Sequence, residues 1–132
     1  MRQIATSNAP TPAGHYSQAI VHAGFVFVSG QLPIDPSGKP RNSNDPIPDI
    51  ESQVLQTLAN IEAILLAAGS TPAQIVRCTV YVSDIAHWPR VNAAYAAYFS
   101  RHTSMPPARS VVPCGALHYG YQVEIDVIAA CE

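Results

Sequence analysis

Residues 122–129 alternate along the chain: Val123, Ile125, Val127 and Ala129 are apolar, and Gln122, Glu124 and Asp126 between them are polar, with Ile128 the one exception. Successive side chains of a strand point to opposite faces, so this pattern demands a sheet with one buried face and one face carrying carboxylates. Something must cover the buried face. Ile50, Val54, Leu58, Ile61, Leu65 and Ala68 recur every three or four residues, the stripe of an amphipathic helix. Asp49 stands where an N-cap is wanted, and Gly69 where a left-handed residue closes the last turn. A second helix is expected after Asp84, an N-cap candidate, with Pro89 tolerated in its first turn. It runs to about residue 101, with Trp88, Val91, Tyr95, Tyr98 and Phe99 as its large apolar positions.

The remaining strands follow from β-branched runs. Residues 16–22 and 25–30 flank Ala23-Gly24 as a hairpin, residues 75–82 (IVRCTVYV) carry the strongest signal, and residues 109–114 precede the alternating segment. Residues 7–14 form an irregular lead-in, and residues 31–49 hold five prolines, which leaves a long surface loop. The expected order is ββαβαββ, a single α+β domain over residues 1–132 with neither repeat nor internal linker. Two helices cover one sheet face and leave the other uncovered. Only 12% of residues are charged, where about 25% is usual. Part of so apolar a surface is expected to lie against other copies of the chain.

Charge and motifs exclude several classes. The formal net charge is −2 and Lys39 is the sole lysine, a poor basis for binding nucleic acid through phosphates. No apolar run approaches the roughly 20 residues of a membrane span, and the first residues lack the apolar core of a signal peptide. Cys78, Cys114 and Cys131 form neither a CxxC pair nor an even framework, so reduced thiols and a cytoplasmic location are expected. The histidines at 15, 22, 87, 102 and 118 lack metal-ligand spacing. No nucleophile-elbow, Walker or dinucleotide motif is present, and neither Ser29 nor Ser110 has a base beside it in the sequence. Cys78, in mid-strand, reads as a buried structural thiol.

One pair carries chemistry. If the last two strands form a hairpin centred near Leu117 and His118, Arg109 lies opposite a residue near Asp126, with Glu124 close by on the same face. The pairing depends on register, since a slip of one residue separates them. A guanidinium holds a carboxylate bidentately, and a carboxylate orients or deprotonates water. The same two residues also suit a structural salt bridge. In Ser29-Gly30-Gln31, glycine at the strand end allows a ligand or another backbone to approach closely.

In order and spacing these segments resemble the Rid family, also called the YjgF family and long labelled endoribonuclease L-PSP. The resemblance rests on Asn8-Ala9-Pro10 with Gly14-His15-Tyr16-Ser17-Gln18-Ala19, on Ser29-Gly30-Gln31-Leu32-Pro33, and on Asn60-Ile61 with Ala67-Ala68-Gly69. It continues through Val91-Asn92 with Tyr95 and Phe99, Pro107-Ala108-Arg109-Ser110, and Val123-Glu124-Ile125 with Ile128-Ala129. The resemblance implies a chorismate-mutase-like fold, a mixed sheet with two helices on one face, assembled as a homotrimer with clefts between subunits. It implies hydrolysis of reactive 2-imino and 2-enamino acids, such as 2-iminopropanoate and 2-iminobutanoate, to 2-oxo acids and ammonia, without metal or organic cofactor. By position, Arg109 then clamps the substrate carboxylate and Glu124 positions the attacking water, while Tyr16, Ser29, Gly30 and Asn92 line the cleft. His15, Val111 and His118 depart from residues frequent in the family, and His118 with Tyr119 is either cleft rim or exposed loop. The rival expectations are a non-catalytic trimer that binds small 2-oxo acids and, against the charge argument, a ribonuclease or translation inhibitor.

Overall fold

A computed structural model describes residues 1–131. Its strands are β1 (Arg2–Ile4), β2 (Ala19–His22), β3 (Phe25–Gln31), β4 (Ile75–Val82), β5 (Ala108–Pro113) and β6 (Val123–Ala130), and its helices α1 (Ile50–Ala67) and α2 (Trp88–Ser100). All six strands form one sheet in the order β1-β2-β3-β6-β4-β5. Only β4 and β5 run parallel, so the sheet is mixed, with both helices packed against one face.

Local signals are realised closely. The Asp49 carboxylate accepts the Ser52 N–H at 2.7 Å and caps α1. At the other end Gly69 takes φ +81°, and the Ser70 and Gly69 N–H groups return to the carbonyls of Leu65 and Leu66, a Schellman closure. The α1 stripe is at most 3% exposed and meets Val123, Ile125, Val127 and Ala129 of β6, each at most 1% exposed. Asp84 caps a single 3-10 turn, Ile85–His87, and α2 follows with Pro89 in its first turn. Trp88 stays 39% exposed while Val91, Tyr95, Tyr98 and Phe99 enter the core.

Two expectations are corrected. The order ββαβαββ lacks a strand: β1 pairs with β2 at the sheet edge, and a three-residue strand is too short to register as a period. The expected hairpin of β5 and β6 does not form. α2 is a crossover between β4 and β5, which makes those strands parallel neighbours and puts β5 at the edge. β6 then enters between β3 and β4, antiparallel to both. Phe25 and Phe27 stand exposed on the face that no helix covers.

Loops are held by buried amides. The Gln18 side chain donates to the carbonyls of Thr6, at 3.0 Å, and Pro10, at 3.0 Å, and accepts the Thr6 N–H, at 2.7 Å. This ties the lead-in over the start of β2, which therefore begins at Ala19 rather than Tyr16. From α1, the Asn60 amide donates to the carbonyls of Leu32 and Ile34 at 3.1 and 2.9 Å and anchors the proline-rich loop. No helix among the described residues is long and apolar enough to cross a membrane.

Candidate functional site

The sheet register separates the two residues on which the chemistry was expected to rest. Arg109 stands beside Cys78, which stands beside Val127. Cys78 and Val127 face the helices, and so does Arg109. Glu124 stands beside Tyr81, on the uncovered face. Two strand spacings and three residues along the strand put the two positions roughly 14 Å apart, on opposite sides of the sheet. Within one chain they form neither a cleft nor a salt bridge, and the one ion pair among the described residues is Arg90 with Glu51.

Each residue instead belongs to its own hollow. On the helix side, Asn92, Tyr95, Phe99, Pro107 and Arg109 line one of about 650 Å³. The Arg109 guanidinium lies 4.7 Å above the Tyr95 ring centre and donates to Asn92 Oδ1 at 2.9 Å. Asn92 and Tyr95 are three residues apart on α2 and present neighbouring side chains. The stacking and the hydrogen bond orient the planar fork, and its remaining N–H donors suit a two-point hold on a carboxylate.

The second hollow, about 530 Å³, is lined by Tyr16, Ser29, Gly30, His118, Tyr119 and Glu124 among others. Ser29 and Gly30 lie in the irregularity of β3 where its register with β6 shifts. A Cβ on Gly30 would overlap the Glu124 carboxylate, so glycine is what lets that carboxylate lie against the backbone. Ser29 donates from Oγ to the Ser17 carbonyl at 2.6 Å, which turns this hydroxyl to structural use. Tyr16 is half exposed, its hydroxyl accepting the Ala13 N–H at 3.4 Å. Burial pushes the Glu124 carboxyl above its ordinary value; His118 pulls it down and Asp126 pushes it further up. A carboxylate shifted this way is a better proton acceptor than an exposed one.

Burial raises the Cys78 thiol to about 11, which keeps it protonated. Cys114 is exposed, and the Cys131 thiol donates to the Ala68 carbonyl at 3.1 Å. Among the described residues no three His, Cys, Asp or Glu side chains gather as a metal-ligand set. The sequence reading gave no role to Gln18, quoted only within the family motif of residues 14–19; its buried amide shapes the second hollow.

These features define a small α+β domain that carries one hollow, with Arg109, at the edge of its helix-covered face and another, with Glu124, on its uncovered face. The chain belongs to the endoribonuclease L-PSP family, whose model matches residues 6–131. It is 38% identical to a 2-iminobutanoate/2-iminopropanoate deaminase of Salmonella typhimurium, over 97% of this chain and 96% of that one. The YjgF gene product of E. coli superposes with a TM-score of 0.89 at 36% identity, each chain covered in full. E. coli TdcF, solved with bound serine, gives 0.89 at 30% identity, again over the whole of both chains.

Proposed function

We propose that this chain hydrolyses 2-imino and 2-enamino acids to 2-oxo acids and ammonia, as a homotrimer of one domain per chain. The observation that carries this reading is the division of the site: a held, unpaired guanidinium on one hollow and a carboxylate with raised proton affinity on another. Neither half suffices alone. A ring of copies joined head to tail sets the Arg109 hollow of each against the Glu124 hollow of the next, which makes three equivalent clefts. The uncovered face with Phe25 and Phe27 supplies apolar area for that contact.

In such a cleft Arg109 holds the substrate carboxylate through two N–H donors. Tyr16 and the Ser29-Gly30 backbone confine the rest of the molecule. Glu124 takes a proton from water as the oxygen adds to the iminium carbon. The proton then passes from Glu124 to nitrogen, the C–N bond breaks and ammonia leaves, and the hydroxyl gives its remaining proton to Glu124 as the carbonyl forms. A protonated imine is electrophilic already, so orientation and charge placement are the work left for the protein. The reading uses no metal or organic cofactor, and with reduced thiols it fits a cytoplasmic protein.

The test generates 2-iminobutanoate in situ and measures the first-order decay of the imine with and without the protein. Acceleration that disappears in Arg109→Ala supports the reading. Binding of 2-oxobutanoate without acceleration supports the non-catalytic rival instead. A ribonuclease reading has little to draw on in a chain of net charge −2 with one lysine.

A further inference from the structure

Tyr119 adopts φ 61° and ψ 13°, a left-handed conformation that is unfavourable for a bulky residue and persists where neighbours hold it. What holds it comes from the proline-rich loop, 78 residues earlier in the sequence. Arg41 Nη1 donates to the Tyr119 carbonyl at 2.7 Å, the Arg41 backbone N–H donates to the Tyr121 hydroxyl at 3.2 Å, and Nη2 donates to the Asp45 carbonyl at 2.5 Å. A Cβ on Gly120 would come within 2.5 Å of Arg41 Nη1, so the guanidinium occupies the space that a side chain there would need. The Tyr119 ring meets His118 and Tyr121 edge to face, at 5.9 and 6.3 Å between centres. Both His118 and Tyr119 line the hollow of Glu124.

We infer that the His118–Tyr119 turn is a wall that limits the size of the substrate side chain, and that Arg41 is the positioning residue that holds the wall in place. The inference rests on the deaminase reading. Arg41 touches no substrate and acts through the peptide of Tyr119. A rigid pair of rings excludes a branched side chain; once the tether is lost, the turn is free to leave the left-handed region and the ring to swing away.

The experiment compares the wild-type protein with Tyr119→Gly, Arg41→Ala and Arg41→Lys on imines generated in situ from alanine and from leucine. Tyr119→Gly removes the ring and suits the observed backbone, so it keeps the test open if Arg41→Ala does not fold. The ratio of kcat/KM for the leucine imine over the alanine imine is expected to rise by about ten-fold in Tyr119→Gly and Arg41→Ala, mainly through KM. Arg41→Lys, which keeps one donor for the Tyr119 carbonyl, falls between them and wild type. An unchanged ratio in folded variants of an active wild type overturns this inference alone, whatever happens to their melting temperatures. A wild type inactive on both imines overturns the deaminase reading and this inference with it.

Discussion

Arg109 and Glu124 differ in what their neighbours do to them, and substitutions should separate them accordingly. Arg109 is oriented by a ring and an amide, so Arg109→Lys loses both the stacking surface and the two-point geometry. Arg109→Ala and Arg109→Lys are both expected to lose 2-oxo acid binding and turnover together, as calorimetry and imine decay would register. Glu124→Gln keeps size and burial but cannot accept the proton. Turnover should fall by roughly 10²–10⁴-fold while 2-oxo acid binding stays near wild type. The same variant has a pH signature. A carboxyl whose folded pKa is raised contributes stability below its ordinary value, near 4.5, and that contribution is lost as pH rises through the folded value. At neutral pH the charged, half-buried form is the less favourable one. Glu124→Gln should therefore melt at or above the wild-type temperature near pH 7, and this advantage should vanish on acidification below the ordinary carboxyl range. A wild type more stable than the variant at pH 7 would overturn that assignment.

Among the elements, α1 does more than cover the sheet. Through Asn60 it holds the Leu32 and Ile34 carbonyls, and both residues line the Glu124 hollow. Replacing Asn60 by Ala removes the donor from the Ile34 carbonyl and one of two donors from the Leu32 carbonyl, which keeps the Ile34 N–H, a loss of about 1–3 kcal/mol. The expected result is a lower melting temperature together with a raised KM, since the freed loop is a wall of the hollow. By contrast, Asp49→Ala removes only the cap, about 0.5–2 kcal/mol, at the helix end remote from that wall. It should lower the melting temperature and leave KM alone. Equal effects of the two on KM would argue against a distinct role for Asn60.

At the scale of the whole molecule, the division of the site makes a prediction that a single-chain site does not share. Arg109→Ala and Glu124→Gln chains are each expected to be nearly inactive. Unfolded together and refolded as a mixture, they regain activity, because some clefts then combine an intact arginine from one chain with an intact glutamate from another. For an equal mixture in a three-membered ring this holds for about one cleft in four. A mixture no more active than its components would refute the shared cleft. Phe27→Asp, placed on the uncovered face, should yield smaller particles by sedimentation and lose turnover in proportion.

What the sequence by itself determined is local. The alternation in β6, the α1 stripe, the Asp49 cap and the Gly69 closure each depend on residues within a turn or two of one another. Their physics is therefore contained in the string. Family motifs also marked residues of both hollows, Tyr16, Ser29, Gly30, Asn92, Arg109 and Glu124, without indicating that there were two, and left His118 and Tyr119 open between cleft rim and exposed loop. That division was decided by tertiary structure. Because α2 crosses from β4 to β5, β5 takes the sheet edge and β6 is placed between β3 and β4. Strand order is set by which distant edges gain most from pairing and burial, and no short-range pattern records it. With that order Arg109 faces the helices and Glu124 faces away.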